Sequence, residues 1–185
     1  MFERTYDSLA RGNPDALNVV TNGSTDGTSD DVRRLGGIVD DTRSEMWFGM
    51  STAINWALRQ GCEIVLFSAD DIEYAPDWKQ RLLAFWEVAP ATVKLATTFY
   101  EPDWPWNTVY AAREIGGERT LFRASVPGCC WSFRARDWRD IGPIPNRSPG
   151  EDLSVCQKLR GAGFDLAQIN ISEHLGHEVS AWGNE

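Results

Sequence analysis

The chain has 185 residues, 42% of them hydrophobic, and carries 18 Lys and Arg against 27 Asp and Glu, for a net charge of −9. That acidity disfavours broad binding to a phosphate backbone and leaves no polybasic patch for an anionic membrane. No apolar run approaches the roughly 20 residues that span a bilayer, and no signal peptide opens the chain. A single domain over residues 1–185, cytoplasmic and without a membrane partner, is therefore expected.

In chain order, residues 3–10 predict a helix ended by Gly12 and Pro14, and Leu17–Thr21 a strand. A short helix is expected over 29–35, closed by Gly36-Gly37, then a small strand near Ile38-Val39. Thr42-x-x-Glu45 resembles a capping box ahead of Trp47, Met50, Ile54 and Leu58, which recur with helical spacing until Gly61. Glu63–Phe67 reads as a strand, and its continuous apolar run suits a parallel strand covered on both faces. Pro76 opens a helix containing Trp78, Leu82, Phe85 and Trp86, and Val93–Phe99 is a strand. Residues 101–119, rich in Pro, Trp and Gly, read as a loop or small β excursion in which Trp104 and Trp106 offer either packing or a sugar-stacking platform. Pro127–Phe133 is a strand, Asp137–Ile141 a helical turn, Glu151–Arg160 a helix and Phe164–Ile169 a final strand. Such alternation predicts an α/β fold with a mostly parallel sheet and helices on both faces. Four cysteines, Cys62, Cys129, Cys130 and Cys156, lack zinc-ligand spacing and are expected as buried reduced thiols.

Chemistry concentrates at strand ends. From Val19 to Thr28 an apolar strand feeds a turn of small, oxygen-bearing side chains, Asn22-Gly23-Ser24-Thr25-Asp26-Gly27. Open α/β sheets bind ligands at such C-terminal edges. Asp26 offers a carboxylate to hydroxyl or imino donors, or the run is simply a strand followed by a helix cap at Thr28 or Ser29. A calcium loop is excluded, because Arg33 stands where its bidentate Glu is required. Ser68-Ala69-Asp70-Asp71 follows the apolar strand, and its paired carboxylates repel unless a cation or hydrogen-bonded partner compensates. Otherwise Asp70 caps a turn and Asp71 is solvated. Glu151-Asp152 opens a helix, where the macrodipole also favours acidic residues. His174 and His177 are the only histidines; they share a metal, contribute singly to a mixed shell, or serve structure alone.

These segments, together with Gly49-Met50-Ser51-Thr52-Ala53-Ile54-Asn55, resemble in sequence and order the GT-A glycosyltransferases, especially the inverting enzymes of glycosyltransferase family 2, over roughly residues 3 to 180. The resemblance implies a GT-A, Rossmann-like fold, with residues 1–100 binding a nucleotide-sugar and 101–185 facing the acceptor. It implies that Asn22, Ser24 and Asp26 contact the nucleotide. Ser68-Ala69-Asp70-Asp71 stands in the place of the Asp-x-Asp motif, which holds Mn²⁺ or Mg²⁺ against the diphosphate of a UDP-, GDP- or dTDP-linked sugar. Ser68 replaces the first Asp and is expected to donate to the ribose; Asp70 is the metal ligand, and Asp71 reaches the metal through water or contacts the sugar. Asp152 is implied as general base on the acceptor hydroxyl, with Glu151 positioning acceptor or base. His177 is the first choice, and His174 the second, for a late metal ligand. Asn55 is expected to brace the Asp70 loop, and Arg123 to form a surface ion pair or meet a phosphate or acidic acceptor.

The resemblance also implies a strand before the first helix, whereas this sequence opens at that helix. Either the gene start is short, another segment or chain supplies the strand, or the base pocket is rudimentary. Two rivals stay open: a catalytically degenerate nucleotide- or sugar-binding module, and a phage-type transferase acting on hydroxylated DNA bases. The acceptor is an unidentified hydroxyl, a saccharide by expectation, and the oligomeric state is unread. A nucleotidyltransferase would need a Gly-rich basic phosphate loop near the start, which is lacking.

Overall fold

The computed structural model describes residues 2–40, 45–99, 108–146 and 150–175. Fifteen regular elements and one 3₁₀ turn follow one another among them. Helix α1 (Phe2–Arg11) leads to strand β1 (Val20–Asn22), α2 (Thr28–Arg34), β2 (Ile38–Asp40), α3 (Met46–Arg59) and β3 (Ile64–Ser68). Next come β4 (Ile72–Tyr74), α4 (Trp78–Val88), β5 (Val93–Phe99), β6 (Val109–Ile115) and β7 (Glu118–Arg123). The chain continues through β8 (Cys130–Arg134), the 3₁₀ turn (Ala135–Asp137), α5 (Trp138–Ile141), α6 (Glu151–Gly161) and β9 (Asp165–His174).

The expected α/β class is observed, but the sheet is mixed. Strands β1 and β2 form a parallel pair, while a seven-stranded sheet runs β3-β8-β5-β9-β7-β6 with β4 also on β9. Within that larger sheet only β5 and β9 run parallel; the β3–β8, β5–β8, β7–β9, β6–β7 and β4–β9 pairings are antiparallel. Alternation alone suggested parallel strands because it shows neither β4 nor the hairpin hidden in 101–119. That hairpin turns at Gly116-Gly117, both with positive φ, so the "β excursion" is the β6–β7 edge of the sheet. The apolar run of β3 likewise does not mark a strand covered all round. It ends the sheet and is mostly half-buried, with Val65 alone fully inside.

Two apolar layers sandwich the larger sheet, as period-two alternation requires. Trp131 and Phe133 of β8 join Met50 and Ile54 of α3, and Val155 and Leu159 of α6, on one face. On the other, Ala167, Ile169 and Ile171 of β9 meet Trp78, Leu82, Phe85 and Trp86 of α4. Helix α1 packs by polar groups: Ser8 Oγ accepts the Tyr74 N–H at 3.1 Å and donates to Thr5 O, and Thr5 Oγ1 donates to the Asp70 carbonyl at 2.8 Å. Thr42 of the expected capping box lies outside the described residues, and Glu45 caps α3 without a side-chain hydrogen bond. Asn22 Nδ2 instead donates to Glu45 O at 3.1 Å, tying the end of β1 to the start of α3.

One buried ion cluster anchors the lower sheet. Lys94 Nζ donates to Asp137 Oδ1 at 2.6 Å and lies 3.1 Å from Asp140 Oδ2. Burial pushes its pKa down, but the two carboxylates outweigh that and raise it. The ammonium is thus favoured in the folded chain; its contribution holds below the ordinary lysine range and fades as alkaline pH removes the proton. Lys94→Met leaves the buried Asp137 with only the more distant Arg134 guanidinium, 3.9 Å away, and is expected to lower unfolding free energy by about 3 kcal/mol, read by urea denaturation at pH 7.

Candidate active site

Four segments meet at one rim of the larger sheet. β3 and β8 are in antiparallel register with Ser68 opposite Cys130, and the Ala69 N–H donates to Cys129 O at 2.6 Å. The next residue back, Gly128, donates its N–H to Asp152 Oδ2 at 3.2 Å. A Cβ on Gly128 would stand 2.8 Å from the Asp152 Cβ, so only glycine admits this approach. Asp152 Oδ1 also accepts the Leu153 N–H at 2.6 Å, which fixes the carboxylate at the start of α6. On the far side, the Leu175 N–H donates to Asp71 O at 2.7 Å, and His174 Nε2 lies 3.0 Å from Asp71 Oδ2. The His174 ring stacks on Phe99 with centroids 5.5 Å apart.

Segment 68–71 therefore touches both the 128–129 turn that reaches Asp152 and the end of β9. A cavity of about 640 Å³ opens beside it, and Asn22, Ser24, Ser68, Asp70 and Gly128 all contribute to its lining. The six expected donor-side positions are treated differently by the fold. Asp70 is exposed, whereas Asp71 is only 4% exposed and spends its carboxylate on His174. Ser68 Oγ donates to the neighbouring Ala69 carbonyl at 2.8 Å, and Ser24 Oγ pairs with Thr21 Oγ1 at 2.6 Å. Asn22 is the tether to α3 described above. Asp26 is fully exposed on the turn; its Oδ1 accepts the Thr28 N–H at 3.1 Å, and this bonding to Thr28 holds its carboxyl below the usual carboxylate range. It thus accepts from the first turn of α2 and is not in the cavity lining, and the N-cap of α2 is Gly27, one residue before the expected Thr28 or Ser29.

Other placements differ from expectation. Glu151 is 1% exposed, buried beneath α6 rather than presented to the cleft. Arg123, expected at the surface, is 2% exposed at the end of β7. Asn55 is exposed on α3 and so does not brace the Asp70 loop. His177, Trp104 and Trp106 lie outside the described residues. Among the described residues no group of three or more His, Cys, Asp or Glu is arranged to hold a metal ion. Asp70 and the adjoining Asp71–His174 pair nonetheless supply the oxygen and imidazole donors that suit Mn²⁺ or Mg²⁺. The tethering role of Gly128 was missed in the sequence, where its only sign is a glycine two residues before a strand.

A profile described as glycosyl transferase family 2 matches residues 1–138. The chain belongs to glycosyltransferase family 2. Comparison with curated protein sequences finds no match. Among solved structures, the fold resembles the mannosyltransferase PcManGT from Pyrobaculum calidifontis in complex with GDP-Man and Mn²⁺, with a TM-score of 0.60 and 20% identity over 96% of this chain and 54% of that one. GalNAc-T7 with UDP, GalNAc and Mn²⁺ gives a TM-score of 0.59 and 12% identity over 92% of this chain and 40% of that one. A197 from STIV matches at 0.52 and 11% identity, over 88% and 87%. This family 2 chain thus spans about half or less of the first two chains' length. At these identities the likeness is one of fold, the mixed α/β GT-A fold, and no described helix is long and apolar enough to cross a membrane.

The four thiols are free and fall into two environments. Burial pushes Cys130 up to about 11 and Cys156 up to about 12. Cys129 lines the cavity half-buried, as does Cys62. Native protein at pH 8 is expected to be alkylated by iodoacetamide at Cys62 and Cys129 while Cys130 and Cys156 stay unmodified, read by peptide mass spectrometry.

Proposed function

We propose that the chain transfers a sugar from a nucleoside-diphosphate donor to an acceptor hydroxyl, with residues 1–100 taking the donor and 101–185 the acceptor. What carries this reading is the link from Ala69 through the 128–129 turn to the Asp152 carboxylate. It supports reading Asp152 as a fixed base two hydrogen bonds from the segment of the exposed Asp70, which lines a cavity together with Asn22, Ser24 and Gly128. The Mn²⁺ and nucleotide-sugar complexes of the two mannosyl- and GalNAc-related structures support the same donor chemistry.

Asp152 is the proposed general base. Its Oδ2 is aimed by the Gly128 N–H and its Oδ1 by the Leu153 N–H, so the carboxylate is held before any acceptor arrives. The acceptor oxygen attacks the anomeric carbon as the bond to the diphosphate breaks, and its proton passes to Asp152. One displacement inverts that centre. Asp70 is the proposed protein ligand for Mn²⁺ or Mg²⁺, with His174 oriented by Asp71 and His177 as further donors; a bound divalent ion neutralises charge on the leaving diphosphate. Ser68, Ser24 and Asn22 line the donor pocket, Asp26 meets ribose or base at its edge, and Glu151 supports the α6 N-terminus from below. The donor nucleotide is UDP, GDP or dTDP, and the acceptor a saccharide; the acidic charge weighs against duplex DNA.

Asp152→Asn is expected to lower transfer by roughly 10²- to 10⁴-fold with donor affinity retained, measured with radiolabelled UDP-, GDP- and dTDP-sugars. Asp70→Ala is expected to abolish the Mn²⁺-dependent part of nucleoside-diphosphate binding in calorimetry. Unchanged turnover in both variants would falsify the assignment. One observation favours the rival of a non-catalytic module: Ser68, where the family carries Asp, turns its hydroxyl to the Ala69 carbonyl. Metal-dependent nucleotide binding without transfer or donor hydrolysis selects that rival.

A further inference from the structure

Strands β5 and β9 run parallel through Ala96 opposite Ala167 and Thr97 opposite Gln168, and their ladder then resumes at Phe99 opposite Ser172. Between these registers β5 contributes one residue, Thr98, and β9 three, residues 169–171. β9 is therefore two residues ahead of its partner when it reaches the rim, an offset of about 6.6 Å along a strand. An insertion of two leaves the alternation of a strand intact, and Ala167, Ile169 and Ile171 all pack in the α4 layer. Apolar packing thus accepts β9 with or without the offset. Hydrogen bonds have to select it.

The groups released at this interruption are taken one by one. Arg81 Nη2 donates to Asn170 O at 2.9 Å, and the Ala75 N–H donates to Ile171 O at 3.1 Å. Thr98 Oγ1 pairs with Ser172 Oγ at 2.8 Å. The Phe99 carbonyl, where β5 leaves the interruption, accepts from Gln168 Nε2. A carbonyl only accepts, so the amide nitrogen of Gln168 must be the atom that faces it. Its Oε1 makes no hydrogen bond among the described residues, and the residue is 2% exposed. An amide buried half-paired is a cost to the fold. What offsets it is the one donor that reaches Phe99.

Phe99 connects this clamp to the rim. Its ring stacks on the His174 imidazole, with 5.5 Å between centroids and 23° between planes, and His174 Nε2 lies 3.0 Å from Asp71 Oδ2. Ser172, opposite Phe99, is also opposite Tyr74 of β4, and His174 is opposite Ile72. Without the offset Asn170 would stand opposite Phe99, and His174 would lie two residues beyond both ring and carboxylate. Bulges beside active sites commonly re-aim a side chain in this way. We propose that Gln168 is a positioning residue for the rim: its side-chain amide fixes the offset between β5 and β9 and so seats Phe99 and His174 against Asp71. The bearing on sugar transfer rests on the glycosyltransferase reading; the seating of His174 does not.

The wild type supplies one readout by NMR. The side-chain amide protons of Gln168 are expected to exchange with solvent at least about tenfold more slowly than those of the exposed Gln157; comparable rates overturn the clamp. A second readout is the His174 ring, whose proton resonances are identified by their loss in His174→Asn and are shifted upfield by stacking on Phe99. Gln168→Met keeps the side-chain length without the donor and is expected to move those resonances to unstacked values, with thermal melting still cooperative. On a Phe99→Leu background the same substitution is expected to move them no further. Unmoved resonances in Gln168→Met overturn the proposal, as does a displacement that persists without the Phe99 ring, since that marks a general loss of packing. Should Gln168→Met fail to fold, Gln168→Asn, whose amide falls one methylene short, is read in its place with the same expectations. Where the wild type transfers sugar, Gln168→Met is expected to lower kcat by roughly 10- to 100-fold, and an undiminished kcat with His174 displaced overturns the link to transfer. Absence of transfer in the wild type sinks the glycosyltransferase reading instead, while the NMR outcomes still decide the seating of His174.

Discussion

The antiparallel register that sets Ser68 opposite Cys130 is the constraint on which the site depends. It delivers the end of β3 to the turn before β8, and that turn, through the N–H of Gly128, reaches the first carboxylates of α6. A slip of one residue along β3 would turn Val65 and Phe67 out of the α3–α6 core and remove Asp70 from the rim in the same movement. Packing and site geometry are therefore set by one ladder. The glycine at 128 is the narrowest point of this arrangement, because any side chain there occupies the space of Asp152 itself.

Charge placement in the molecule follows burial closely. Lys94, Asp137 and Asp140 gather beneath the sheet, and Arg81 makes a two-point contact with Glu118 at the β7 edge, so these charges are matched where water is excluded. Arg134 spends its guanidinium on the carbonyls of Trp86 and Ala89, which closes the C-terminal end of α4. At the rim the balance is reversed. Asp70 is exposed there beside the Asp71–His174 pair, with Asp152 beyond the 128–129 turn and Lys79 lining the adjoining cavity. A surplus of carboxylates at a strand edge favours divalent cations, and this is the physical core of the proposed donor chemistry.

The two sheets also divide the molecule's stability unevenly. β5 and β8 are buried along their whole length, β9 over most of its own, and all three share both apolar layers. β1 and β2 are three-residue strands held by α2, by the α3 tether at Asn22 and by each other. The 22–28 turn thus follows the lightly anchored sheet, and Asp152, at the start of α6, adjoins the heavily anchored one.

The sequence by itself determined the α/β class, most helix positions, β5 and β8, and the identity of the rim segments, because these rest on local signals. Helical spacing located α3 and α4, glycines ended α2 and α6, and small oxygen-bearing residues after apolar runs marked the 22–28 and 68–71 turns. Strand direction was not legible, since an apolar run reads the same whether its neighbour lies parallel or antiparallel, and β4 is too short to carry a period. Nor was burial of single polar groups: Arg123, Glu151 and Asp71 are inside and Asn55 outside, which depends on what packs against them rather than on their own flanks. Only the tertiary structure decided that Asp70 and Asp152 share a rim. That relation joins residues dozens of positions apart, and hydrogen bonding across the sheet, not local preference, fixes it.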